Sequence, residues 1–124
     1  MSKNTVVWTD IPVTDLNRAV AFYSKILGSP VTLQKMGDSE FGVLPHPAED
    51  SVFGCIALSE DNKPSRTGPL LYLSANGRLD EAVKLASENG GEVLQPKHQI
   101  GPYGYRAVIV DSEGNRIALH SETV

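Results

Sequence analysis

Apolar residues recur at Leu16, Ala19, Val20, Tyr23 and Leu27, a spacing of three and four that keeps them on one helical face. Thr14 or Asp15 stands where the N-cap of that helix belongs, and Gly28 stands where the chain can turn left-handed and stop. Leu79, Ala82, Val83 and Ala86 repeat the stripe, with Asn76 as its cap and Gly90-Gly91 as its end. A β-rich run precedes each helix, and about three short strand-like runs follow it. After the first helix these are Val31–Lys35, Phe41–Leu44 and Val52–Leu58, separated by Gly37-Asp38 and by the loop Pro45–Asp50. After the second they are Glu92–Gln95, Tyr105–Val110 and Arg116–His120. Asp111-Ser112-Glu113-Gly114-Asn115 predicts a hairpin turn between the last two.

The two halves are copies of one plan. A shift of 63 positions lays Leu16 on Leu79, Ala19 on Ala82, Val20 on Val83, Gly28 on Gly91 and Val31 on Leu94. The pattern predicts an α+β fold of two tandem β-α-β-β-β modules, about 4–60 and 69–122, in a single domain 1–124. The polar stretch Ser59–Thr67 links the copies.

Composition narrows the class of function without choosing one. A chain of 124 residues, 40% apolar and 21% charged, buries enough surface to fold without disulfides or metal. The net charge of −4 is spread thinly, and the basic residues form no cluster, which argues against a nucleic-acid surface. Cys55 is the lone cysteine, so no internal disulfide forms. The sequence Met-Ser-Lys-Asn opens without an apolar run, and no stretch approaches the roughly 20 residues that span a bilayer. The expectation is a cytoplasmic protein with neither nucleic acid nor membrane as partner.

The segments Ile11-Pro12-Val13-Thr14-Asp15-Leu16, Ala21-Phe22-Tyr23, Glu88-Asn89-Gly90-Gly91 and Asp111–Asn115 followed by Arg116-Ile117-Ala118-Leu119 together resemble the vicinal oxygen chelate superfamily. That group holds glyoxalase I, extradiol dioxygenases, fosfomycin-modifying enzymes and bleomycin-binding proteins. The resemblance covers nearly the whole chain and implies curled mixed sheets around a shared cup that holds the ligand. It also implies a homodimer. In the family's metalloenzymes four cup positions bind a divalent cation through His, Gln or Glu. The matching positions here are Trp8, Cys55, Leu70 and Ala118. Trp, Leu and Ala offer no donor to a hard cation, and Cys55 is one soft donor without a partner. The expectation is therefore no metal and no cofactor.

Strand alternation puts further side chains on the same face as those positions. Asp10 lies two residues beyond Trp8, as either a cup carboxylate serving as base or cation site, or a strand-end acid. His120 lies two beyond Ala118, as either an acid-base group or a strand-end histidine. Asp10 and His120 are thus the catalytic candidates. Tyr72 shares the face of Leu70. Tyr103 and Tyr105 sit in a glycine-flanked loop that either closes over a ligand or simply connects strands. Arg106 reads as an anion contact or a rim arginine. His46 and His98 read as solvated loop and strand-end residues, and Cys55 as a small buried hydrophobe. The leading functional expectation is a metal-free protein binding a flat or cationic organic molecule in its cup. The alternatives are a lyase or isomerase of the lactoylglutathione-lyase-like or dioxygenase-like type, and a module serving only association.

Overall fold

The computed structural model describes residues 5–46 and 52–124, so most of the predicted loop Pro45–Asp50 lies outside the described residues. The first half contains β1 (Trp8–Pro12), α1 (Leu16–Leu27), β2 (Thr32–Met36), β3 (Ser39–Val43) and β4 (Phe53–Ala57). The second contains β5 (Leu71–Ser74), α2 (Leu79–Glu88), β6 (Glu92–Gln99), a short 3-10 turn (Gly101–Tyr103), β7 (Tyr105–Val110) and β8 (Arg116–Ser121). They form two four-stranded sheets, ordered β1-β4-β3-β2 and β5-β8-β7-β6. In each sheet the first strand runs parallel to the last and the other pairs are antiparallel. The expected α+β plan of two β-α-β-β-β modules is therefore the one observed. β3 starts two residues before its expected Phe41, and β6 runs on to Gln99. The extension passes through Pro96 by register shifts at Gln95 and His98, which an edge strand tolerates.

One face of each sheet meets the helices, and there the core forms. Ile11, Val13 and Ile56 from the first half join Ala107, Ile109, Ile117 and Leu119 from the second in one buried cluster with both helices. The alternation predicted for β1 and β8 thus holds. Helix α1 differs in detail, because its buried residues are Leu16, Ala19, Phe22, Tyr23 and Ile26, while Val20 and Leu27 are half-buried. The reason is that α1 packs against α2 as well as its own sheet, which turns the buried arc toward Phe22 and Ile26.

The helix ends show what ties the halves together. The Asp15 side chain caps α1 by accepting the Arg18 N–H at 3.0 Å, and Gly28 ends it at φ 70°. Asn76 does not cap α2. Arg78 occupies that position without a side-chain cap bond, and the Asn76 side-chain Oδ1 accepts the Glu122 N–H at 2.6 Å instead. Arg78 reaches across to α1, where its guanidinium donates to the carbonyls of Ile26 at 2.5 Å and Lys25 at 3.4 Å. At the other end of α1 the β7–β8 turn delivers Glu113. Its Oε1 accepts the N–H groups of Thr14 and Asp15, both at 2.9 Å, and its Oε2 pairs with Arg18 at 2.7 Å. Asp111 of the same turn is buried and accepts from the Tyr23 hydroxyl, the Asn115 side chain and two backbone N–H groups. Burial, then the charge and hydrogen bond of Asp111, push the Tyr23 hydroxyl well above its ordinary pKa.

Burial alone would raise the Glu113 carboxyl, but hydrogen bonds from Arg18, Asp15, Thr14 and Ser112 outweigh it and hold it at about 2. A carboxyl depressed in the folded state contributes stability that is fully present above its ordinary 4.5 and lost as pH falls toward 2. Arg18 is half exposed, so solvent screens its share, and the contribution is about 1–3 kcal/mol. Glu113→Gln is expected to lower urea-unfolding stability at pH 7 by that amount. It should also flatten the acid side of the stability–pH curve relative to wild type. Parallel curves for the two proteins would contradict the assignment.

Candidate functional site

A cleft of about 620 Å³ opens between the two modules. Its walls come from Thr9 on β1, Leu27 and Ser29 at the end of α1, Leu44 to His46 and Val52 to Phe53 beside β4, and Leu71 to Ser74 along β5. This volume falls within the range of small-molecule sites, and most of the wall is apolar. Polar points are few: Thr9, Ser29, Ser74, the Tyr72 ring edge and His46. The His46 ring stacks on Phe53 with centroids 3.7 Å apart and planes 9° from parallel. Its Nδ1 lies 3.1 Å from the Leu44 carbonyl, which holds the ring in place.

Of the nine residues expected in the cup, Tyr72 lines this cleft. Trp8, Asp10 and Cys55 gather instead on the exposed face of the first sheet. The Trp8 indole N–H donates to Asp10 Oδ1 at 2.7 Å, and the Cys55 thiol donates to the same oxygen at 3.3 Å. Trp8 also tilts against Phe53 with ring centroids 5.0 Å apart, so it backs the cleft wall from outside. Ala118 pairs with Tyr72 and Val108 and is fully buried, while Leu70 precedes β5 and is half-buried. Tyr105 packs against the core rather than the open face, because it has the parity of Ala107 and Ile109. The Tyr103 ring is 75% exposed, and its backbone carbonyl is bonded by His120 Nε2 at 2.6 Å. The two catalytic candidates, Asp10 and His120, lie on different sheets, and no hydrogen bond links them.

The open face of the second sheet carries a polar row. Register places Ser74, His120, Arg106 and His98 side by side on β5, β8, β7 and β6. Arg106 Nε donates to His98 Nε2 at 3.0 Å, and its Nη1 donates to the Tyr72 hydroxyl. The charged group that adjoins the cleft is thus a cation reached through Tyr72, not Asp10. His46, expected as a solvated loop residue, instead stacks on Phe53 in the cleft wall, and Phe53, Leu71 and Leu73 were not expected at the site. The available signal was the apolar pairs Leu44-Pro45 and Val52-Phe53 at both ends of one loop.

The four positions that the resemblance matches to metal ligands, Trp8, Cys55, Leu70 and Ala118, do not fit a divalent cation here. Trp8 and Cys55 already donate to Asp10, and Leu70 and Ala118 have no donor atoms. Among the described residues, no cluster of three or more His, Cys, Asp or Glu could hold a metal ion. Among them too, no helix is long and apolar enough to cross a membrane.

Two matched β-α-β-β-β modules share one buried core and border an apolar cleft. The family model described as Glyoxalase/Bleomycin resistance protein/Dioxygenase superfamily matches residues 5–119, and the chain belongs to that superfamily. None of the curated proteins compared with the chain matches it. Among solved structures, a glyoxalase/bleomycin resistance protein from Albidiferax ferrireducens T118 is similar at 20% identity and a TM-score of 0.76. That match covers 95% of this chain and 98% of the other. A superfamily member from Sphaerobacter thermophilus DSM 20745 is 25% identical with a TM-score of 0.71, over 96% and 98%. A V278E glyoxalase I mutant from Zea mays is 17% identical with a TM-score of 0.70, over 98% of this chain and 47% of that one.

Burial first, then the hydrogen bond and charge of Asp10, push the Cys55 thiol up to about 11. Little thiolate then exists near neutrality. Cys55 in the folded protein is expected to alkylate with iodoacetamide at pH 7 about 100-fold more slowly than in the urea-unfolded chain. Mass spectrometry of timed samples reads the difference, and comparable rates would contradict this environment.

Proposed function

We propose that residues 1–124 act as one two-module domain that binds a small organic molecule in the cleft beside Tyr72. The observation that carries this reading is the cleft itself, with about 620 Å³ of largely apolar space and a few polar points. Binding of this kind needs no metal, and the donor-poor residues Trp8, Leu70 and Ala118 support a site that works without one. The protein acts as a homodimer. In support, β1 and β5 each have a single strand neighbour, and Val6 and Val7 beside β1 are each 63% exposed. Apolar surface along an open sheet edge favours closure by a second copy.

Thermal shift against a library of aromatic and aliphatic organic compounds tests the cleft, with Trp8 fluorescence as a second channel through its contact with Phe53. At least one compound class should raise Tm. Ser74→Trp, which puts a large ring into the cleft from β5, should abolish that shift. A shift that survives the substitution would place the ligand elsewhere.

Native mass spectrometry of the protein as isolated tests the other two parts. The expected species at tens of micromolar is twice the 13.4 kDa chain, without stoichiometric zinc, nickel, iron or manganese. A monomer at that concentration, or one metal ion per chain removed by chelation, would count against the reading.

A further inference from the structure

Among the described residues, Arg106 and Arg116 are the arginines that meet no carboxylate, and Arg106 is the one beside a residue of the cleft. Arg18, Arg66 and Arg78 each meet a glutamate, and Arg116 donates to the Gly68 carbonyl at 2.7 Å. Arg106 sits half-buried on β7 and, among the described residues, has no carboxylate within ion-pair distance. Its two partners are neutral acceptors, His98 Nε2 and the Tyr72 hydroxyl. His98 can accept there because its Nδ1 donates to the Pro96 carbonyl at 2.8 Å, which fixes the tautomer. His120, next in the row, is turned to the Tyr103 carbonyl. Two of the five guanidinium N–H groups are thus engaged, and those on Nη2 have no acceptor among the described residues.

This is an oriented cation without a counter-charge, on a chain whose net charge is −4. A guanidinium aimed by neutral neighbours is the arrangement that receives an oxyanion, since its planar fork matches a carboxylate or phosphoryl group. Tyr72 connects it to the cleft: the residue is part of the cleft lining and its hydroxyl is the Arg106 acceptor. From this we infer that the ligand of the cleft is an organic anion, with its apolar body in the cleft beside Tyr72 and its oxyanion reaching past Tyr72 to Arg106. The inference rests on the cleft being the ligand site and adds the charge and the recognising residue.

The test uses a homologous series of phenylalkanoic acids, each matched with its neutral primary amide, titrated calorimetrically into the full chain. In wild type the best acid should bind at least about tenfold tighter than its amide. In Arg106→Met the preference for the acid over the amide should disappear, while the amide still binds measurably and so reports an intact cleft. Tyr72→Phe keeps the ring and removes the hydroxyl that aims Arg106, and the acid preference should shrink several-fold. Acid and amide binding equally in wild type would overturn the anion inference and leave the cleft reading standing. So would an acid preference that survives in Arg106→Met. Failure of every acid and amide to bind would overturn both.

Discussion

Helix α1 is held at each end by a charge of the opposite sign supplied from the other half of the chain. Its N-terminus, where unpaired N–H groups concentrate positive partial charge, receives the Glu113 carboxylate on two backbone N–H groups. Its C-terminus, where carbonyls concentrate negative partial charge, receives the Arg78 guanidinium on Ile26 and Lys25. Each such pairing contributes about 0.3–2 kcal/mol. The larger effect is geometric, because the two grips fix the tilt and depth of α1. Phe22, Tyr23 and Ile26 then fill the core between the modules, and Leu27 and Ser29 come to stand at the cleft.

The cleft depends on that placement. One wall is the end of α1 and the mouth of β4, and the other is β5 from the second half. Because the site lies between two bodies locked by the same helix, its width follows from packing elsewhere. Tyr72 is the residue through which the apolar cleft and the polar row on the second sheet communicate. Asp10 has a different place. With the Trp8 N–H and the Cys55 thiol both directed at one of its oxygens, it organises the exposed face of the first sheet.

Local signals carried most of the fold. Helix stripes, the cap at Asp15, the stop at Gly28 and the turn at Asp111–Asn115 depend on neighbours within a few residues, and each is written in the chain. The repeat of one plan in both halves carried the β-α-β-β-β order of elements from one to the other, and the order of strands within each sheet came from the structure. What the sequence did not expose are contacts between remote residues. Glu113 reads as an ordinary turn residue until the structure brings it to Thr14, and Asn76 reads as a cap until Glu122 claims it. The site was legible in part for the same reason. Strand parity put Tyr72 and His120 on the open face, and Arg106 as a possible anion contact was visible beside them. It could not show that Trp8 backs the cleft from outside, since that depends on how Phe53 turns at the end of β4.

The grip on α1 also bears on how the chain acquires its shape during synthesis. Thr14 and its partner Glu113 are 99 residues apart. At ribosomal rates of about 5–20 residues per second, α1 waits about 5–20 s after it is made before the turn that seats it exists. Through that interval Asp15 is the cap available to the helix N-terminus, and Tyr23 has no buried acid to meet. Neither the Glu113 contacts with the helix start nor the Tyr23–Asp111 hydrogen bond can form before the final hairpin has been made.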